Sequence, residues 1–332
     1  MKNKILIYSD FDSKSGLGHL SRAQTFFDAI DHDLYEVNLS SEVNPKSFDV
    51  KFSFLEKTIW KPLREAATEK YSLVFVDTYD PNVIRQLKNW DIEHKILLLD
   101  SNFCQALPNW PDLVIDLERK TPRLLENSKK YIHGIAFIGS AIQRLKRGNS
   151  LNCSDNTFPS KVVVNFGGSS QALTYLMKLN SIIGTRIDIQ FVIFCSKDVY
   201  LDLETFLCPH ENATVKCVGD EYFTEMVNCD LLVTSSGSSF LEAIYMNIPT
   251  AIFDLFENAS LNFEAFRLSS NVLYAGQIED LDRDWFAEMS LNYKKNKTVI
   301  DKNRFEEQFH FIDIDTLKCS IGPILQKSAA RH

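Results

Sequence analysis

A histidine and an arginine stand directly behind a glycine pair in the stretch SDFDSKSGLGHLSRAQTFF, residues 9–27. Gly16 and Gly18 end a strand-like run and open a helical one, where backbone N–H groups can approach an anion and a helix N-terminus adds partial positive charge. His19 falls in the first helical turn. A neutral imidazole there can take a proton near pH 7, the requirement for a base that activates water or a sugar hydroxyl. Arg22, one turn on, has two settings open: holding an anionic group or lying on the surface. The third glycine of a dinucleotide fingerprint is missing, since Ser21 stands in its place, and no GK[ST] follows for a Walker loop. A plain tight turn with a histidine at the helix start uses the same residues equally well.

Other strand ends carry similar groups. VDTYD, residues 76–80, places Asp77, Tyr79 and Asp80 just past an apolar run, so that the Tyr79 hydroxyl can meet a ligand or simply lie half-buried in a loop. LLLDSN repeats the theme with Asp100, as a ligand or as a cap. In the second half NFGGSS ends a strand in Gly167 and Gly168, and TSSGSSFLEA does so with Ser236, Gly237, Ser238 and Ser239. Two such turns suit a diphosphate cradle, and each alone suits an N-cap. Glu242, three residues beyond Ser239, fits a capping box or a ribose contact.

Metal chemistry is not expected. The D-x-D matches at Asp10–Asp12, Asp31–Asp33 and Asp313–Asp315 are short ones in an acidic chain, and His32, His94, His133, His210 and His310 lack zinc spacing. The seven cysteines are scattered without a CxxC pair and read as small core hydrophobes. No G-x-S-x-G elbow occurs. No cofactor is implied.

The elements that must hold these residues alternate short apolar runs with amphipathic ones. Strands are expected at 4–10, 35–39, 72–77, 95–100 and 112–116, with a helix over His19–Ile30 and another over 81–90. After a polar, turn-rich stretch at 144–160 the pattern restarts, with a strand-and-glycine run at 161–170, strands at 187–194, 213–219, 231–236 and 249–253 and helices over Ala172–Ile183, around 223–230 and from Ser239 to Met246. Strands that are apolar on both faces, alternating with helices, imply parallel sheets covered on both sides. The expectation is therefore an α/β protein of two Rossmann-like domains, 1–150 and 151–332, facing a central cleft lined by strand C-termini.

Net charge of −8 argues against a surface that binds nucleic acid through its phosphates. No stretch has the apolar length of a membrane span, and the apolar run ILIY near the N-terminus is too short for a signal-peptide core, so a soluble cytoplasmic protein is expected.

Together SDFDSKSGLGHLSRA, VDTYD, KILLLD, VVNFGGSS and LLVTSSGSSFLEAIYMNIPTAIF resemble the PseG/SpsG family, GT-B-fold proteins related to MurG-type glycosyltransferases, over roughly residues 4–277. The resemblance implies a GT-B fold and hydrolysis of a UDP-amino sugar with inversion, in nonulosonic acid or surface polysaccharide biosynthesis. Its G-x-G-H-x-x-R element falls on Gly16, Gly18, His19 and Arg22, with His19 as general base. Its D-x-Y tyrosine falls on Tyr79, and its asparagine falls on Asn258. The nucleotide sugar, a UDP-sugar, would lie against Gly167, Gly168, the Ser236–Ser239 turn and Glu242. Because water and a sugar hydroxyl need the same base, an inverting glycosyltransferase with a glycan acceptor is the alternative, and a non-catalytic nucleotide-sugar-binding protein is a third reading.

Overall fold

The computed structural model describes residues 2–11, 18–48, 52–100, 110–117, 131–134, 136–139, 142–143, 145, 158–167, 172–254, 271–281, 283–296 and 311–329. The chain divides into two compact units, Met1–Ser140 with Phe309–His332, and Ala141–Gln308.

The first unit is built on strands β1 (Asn3–Ser9), β2 (Tyr35–Ser40), β3 (Ile59–Trp60), β4 (Leu73–Asp77), β5 (His94–Asp100), β6 (Leu113–Leu117) and β7 (Tyr131–His133). They form one parallel sheet in the order β3-β2-β1-β4-β5-β6-β7. The continuous apolar character of the strands follows from burial on both faces. Ile5, Ile7 and Phe75 join one core with Leu20, Ala23 and Phe26 of helix Gly18–Asp28, while Leu6, Tyr8, Val74 and Val76 join another with Val83, Ile84 and Leu87 of helix Pro81–Lys88. The spacing of Leu20, Ala23, Phe26 and Phe27 gives the first helix its inward face, and Phe26 stacks on Phe75 with centroids 4.1 Å apart.

The second unit repeats the plan with β8 (Lys161–Asn165), β9 (Gln190–Cys195), β10 (Ala213–Cys217), β11 (Leu231–Ser235), β12 (Thr250–Asp254) and β13 (Val272–Gln277). Its parallel sheet runs β10-β9-β8-β11-β12-β13. In each sheet the strand order reverses once, between β1 and β4 and between β8 and β11. Such a switch point is where loops leave the sheet in opposite directions and open a crevice at the strand C-termini.

The expected boundaries of 1–150 and 151–332 put the C-terminal tail in the second domain, whereas the structure returns it to the first unit. The reason lies in helix Ile314–Ala329, whose Ile314, Leu317, Ile321, Ile324 and Leu325 recur at helical spacing and enter the core shared with Leu20 and Phe26. Ile312 bridges Phe137, and the Tyr35 hydroxyl donates to the Leu325 carbonyl at 3.1 Å. The expected helix over Ala172–Ile183 is two, Ala172–Lys178 and Asn180–Ile183. Most of the 144–160 stretch lies outside the described residues. Among the described residues no helix is long and apolar enough to cross a membrane.

Candidate active site

The switch point of the first sheet brings three of the expected residues together. Helix Gly18–Asp28 starts after β1 with Gly18 as its first residue, and β4 ends in Asp77, which pairs in register with Ser9. His19 and Arg22 are three residues apart and so share a helix face. That face looks onto Asp77, which points to the same side of the sheet as Phe75 because side chains alternate along a strand.

Asp77 is 1% exposed and His19 is 3% exposed, so both rely on protein partners for their polar atoms. Arg22 grips Asp77 with a fork, Nε to Oδ2 at 2.8 Å and Nη2 to Oδ1 at 3.1 Å. His19 Nδ1 lies 3.1 Å from Asp77 Oδ1 and 2.9 Å from Arg22 Nη2. Burial alone would push the Asp77 carboxyl up, but the Arg22 guanidinium and His19 outweigh it and hold the group below its ordinary range. A carboxylate at this place accepts the Nδ1 proton of His19, which leaves the Nε2 lone pair free to take another. The opposite tautomer has Nδ1 accepting from Arg22. Arg22, expected to hold an anion or to lie on the surface, turns its guanidinium inward onto this pair.

Tyr79 completes the group. Its ring is edge-on to the His19 imidazole, with centroids 5.0 Å apart and planes at 79°. At 37% exposure it is the most open residue of the cluster.

In the second unit the expected residues that are described, Gly167, Ser236–Ser239 and Glu242, follow the two strands at the other switch point. Asn165 ends β8; its Oδ1 accepts the Gly167 N–H at 2.8 Å and its Nδ2 donates to Ser239 Oγ at 3.3 Å. Gly167 has φ of +89°, a conformation that side chains disfavour, which is the local need for glycine after this strand. The Thr234 hydroxyl donates to the Asn165 carbonyl at 2.6 Å and ties β11 to β8 just before the Ser235–Ser239 turn.

The capping box, one of the two readings open for Ser239 and Glu242, does not form. Gly237 is the N-cap of helix Ser238–Met246, so Ser239 lies inside the helix and its hydroxyl serves Asn165 instead. Ser236 is fully buried, while Ser238 and Ser239 are partly exposed. Glu242 is buried, and burial pushes its carboxyl up to about 8, so it is mainly a neutral acid at pH 7. Tyr222 of helix Asp220–Val227 packs close by: burial raises its phenol, and the Glu242 charge raises it further.

Gly16, Gly168 and Asn258 lie outside the described residues. The residues least visible in the sequence are the ones that hold others in place: Asp10, Thr78 and Asn165. A polar residue that closes an apolar strand before glycine, as in VVVNFGG, was the available signal for Asn165. Among the described residues no group of His, Cys, Asp and Glu side chains is arranged to hold a metal ion.

The sequence matches no protein-family model and no curated protein. Solved structures, however, match nearly the whole chain. The glycotransferase of kitacinnamycin is 10% identical, with a TM-score of 0.56 over 99% of this chain and 98% of its own. The spinosyn rhamnosyltransferase SpnG is 11% identical, with a TM-score of 0.53 over 99% and 96%, and a second structure of it is complexed with thymidine diphosphate. A UDP-glucosyltransferase from Polygonum tinctorium capable of glucosylating indoxyl is 11% identical, with a TM-score of 0.52 over 98% and 99%. At these identities the likeness is one of fold. The chain has the GT-B fold class, two α/β domains each built on a parallel sheet.

Proposed function

We propose that this chain is an inverting glycosyltransferase that uses a nucleoside-diphosphate sugar, with His19 as the base. The observation that carries the reading is the buried Asp77–His19 contact at a sheet switch point, an orienting carboxylate behind an imidazole. In the proposed step Nδ1–H of His19 donates to Asp77 and Nε2 takes the proton of an acceptor hydroxyl. The oxygen so released attacks the anomeric carbon from the face opposite the diphosphate. The new C–O bond forms as the bond to the diphosphate breaks, and the diphosphate leaves with the electron pair. Asp77 then faces an imidazolium, whose charge it offsets.

The diphosphate is assigned to the Gly167 and Ser236–Ser239 turns, where backbone N–H groups and a helix start favour an anion. Glu242 is assigned to the ribose, as a neutral acid that both donates and accepts. The expected Asn258 contact stays part of the proposal. Two of the solved structures of like fold support a nucleoside-diphosphate donor, one a UDP-glucosyltransferase and one holding thymidine diphosphate.

Hydrolysis is the second reading. It is favoured by the Gly16–Arg22 and Asp77–Tyr79 segments, which resemble motifs of the PseG/SpsG family. The two readings separate when purified protein is given a panel of UDP-, dTDP- and other nucleoside-diphosphate sugars, with and without candidate glycan acceptors, followed by proton NMR. Transfer predicts inverted glycoside only with acceptor present. Free inverted sugar at catalytic rates without acceptor would make the enzyme a hydrolase, and binding without turnover in either setting would remove the catalytic role altogether.

A further inference from the structure

Asp10 follows β1, and its carboxylate reaches across to the residues that follow β4. Its main-chain N–H donates to the Asp77 carbonyl at 2.9 Å, which extends the β1–β4 pairing past its last matched residues. The Thr78 hydroxyl donates to the two Asp10 oxygens at 2.7 and 2.8 Å, and the Tyr79 main-chain N–H donates to Oδ2 at 2.7 Å. The Thr78 hydroxyl also accepts the Asp80 N–H at 2.9 Å, and Asp80 caps helix Pro81–Lys88 by accepting the Asn82 N–H at 2.7 Å. Each residue of the Thr78–Asp80 turn is therefore fixed by a named bond. The ring in the middle of this turn, Tyr79, is nevertheless exposed and set against His19.

A side chain on a turn follows the backbone that carries it, so the bonds that fix the Thr78–Asp80 turn also set where the Tyr79 ring lies. We propose that Asp10 is a positioning residue which, through the Tyr79 N–H and the Thr78 hydroxyl, holds the Tyr79 ring beside His19 and so governs turnover without touching the substrate. This rests on the reading of His19 as the base. The charged and titratable groups around His19 among the described residues are Arg22 on its own helix, Asp77 and Tyr79 at the end of β4 and Asp10 at the end of β1. Asp10 therefore has a rival route, its charge acting directly on the imidazole.

Two substitutions separate the routes: Asp10→Asn removes the charge and one acceptor, whereas Thr78→Val removes the hydroxyl bonds and leaves the charge. Positioning predicts that each lowers kcat by roughly ten- to hundred-fold, the loss of a hydrogen bond to a charged group, with nucleotide affinity unchanged. It also predicts that neither costs more than about twofold further in a Tyr79→Ala background, since the ring they place is gone. An Asp10→Asn loss that persists in full beside Tyr79→Ala would overturn the proposal in favour of charge or substrate contact. Thr78→Ser should restore activity to the wild-type level, and a failure to do so would count equally against it.

A second measurement is independent of turnover. The His19 ring protons, assigned by their loss in His19→Gln, should shift in Asp10→Asn and Thr78→Val toward their position in Tyr79→Ala, and unmoved resonances would overturn the proposal. Should wild type turn over no nucleotide sugar while these shifts are seen, the reading of the reaction fails and the positioning of Tyr79 by Asp10 stands.

Discussion

Replacing Glu242 by glutamine is expected to stabilise the second unit, and increasingly so as the pH rises. Burial is the cause that lifts the Glu242 carboxyl from 4.5 to about 8. In the unfolded chain the group titrates near its ordinary value, so between these two values the folded protein holds a proton that the unfolded chain releases. The raised value thus favours the folded state most below the unfolded pKa, and that advantage is lost as pH rises through the folded one. A lift of this size is worth on the order of 5 kcal/mol at about 1.4 kcal/mol for each pH unit. Glutamine keeps the shape and never ionises. The stability of Glu242→Gln minus that of wild type should therefore be smallest below pH 4.5, grow by about 2 to 5 kcal/mol between pH 4.5 and pH 8, and level off above that. Trp285 is buried in the second core, and the other tryptophans, Trp60, Trp90 and Trp110, all belong to the first unit. Urea unfolding followed by Trp285 fluorescence, with those three replaced by phenylalanine, reports the relevant transition. A stability difference that stays flat across this pH range would refute the reasoning, because it would mean that Glu242 titrates alike in the folded and unfolded chains.

Two further predictions concern the strand ends. Asp77→Asn removes the charge that faces His19 and the Arg22 fork, and should lower kcat by about two to four orders of magnitude; steady-state kinetics within a few-fold of wild type would exclude Asp77 as the orienting carboxylate. At Gly167 an added Cβ meets nothing within 4 Å among the described residues, so the cost of Gly167→Ala is taken from φ of +89°. The expected loss is about 1 to 2 kcal/mol of stability by urea unfolding, with weaker nucleotide binding by calorimetry.

Much of the fold was legible because burial on both faces leaves a plain record. The runs ILIY, LVFV and ILLL have few polar residues to interrupt them, and they became β1, β4 and β5. The glycine turns marked where chain leaves sheet. What stayed hidden depended on distance in sequence. Nothing near Ile314 says that the tail's apolar stripe packs on Leu20 and Phe26 of the first helix rather than on the domain just before it. Likewise Arg22 reads as an anion-holding or a surface cation until β4 is paired beside β1, which puts Asp77 within its reach. Ser239 and Glu242 match a capping box by spacing, but Gly237 takes the cap and the serine is drawn to Asn165, a partner 74 residues away in the chain.

Release of nucleoside diphosphate by wild type and by His19→Ala, measured on whichever donor the panel identifies, with nucleotide affinity determined in parallel, is the most direct measurement. Wild type should release it with inversion at the anomeric carbon, and His19→Ala should lose about three orders of magnitude or more in kcat while binding nucleotide within a few-fold of wild type. Turnover by His19→Ala near the wild-type rate would contradict a base at the first sheet's switch point.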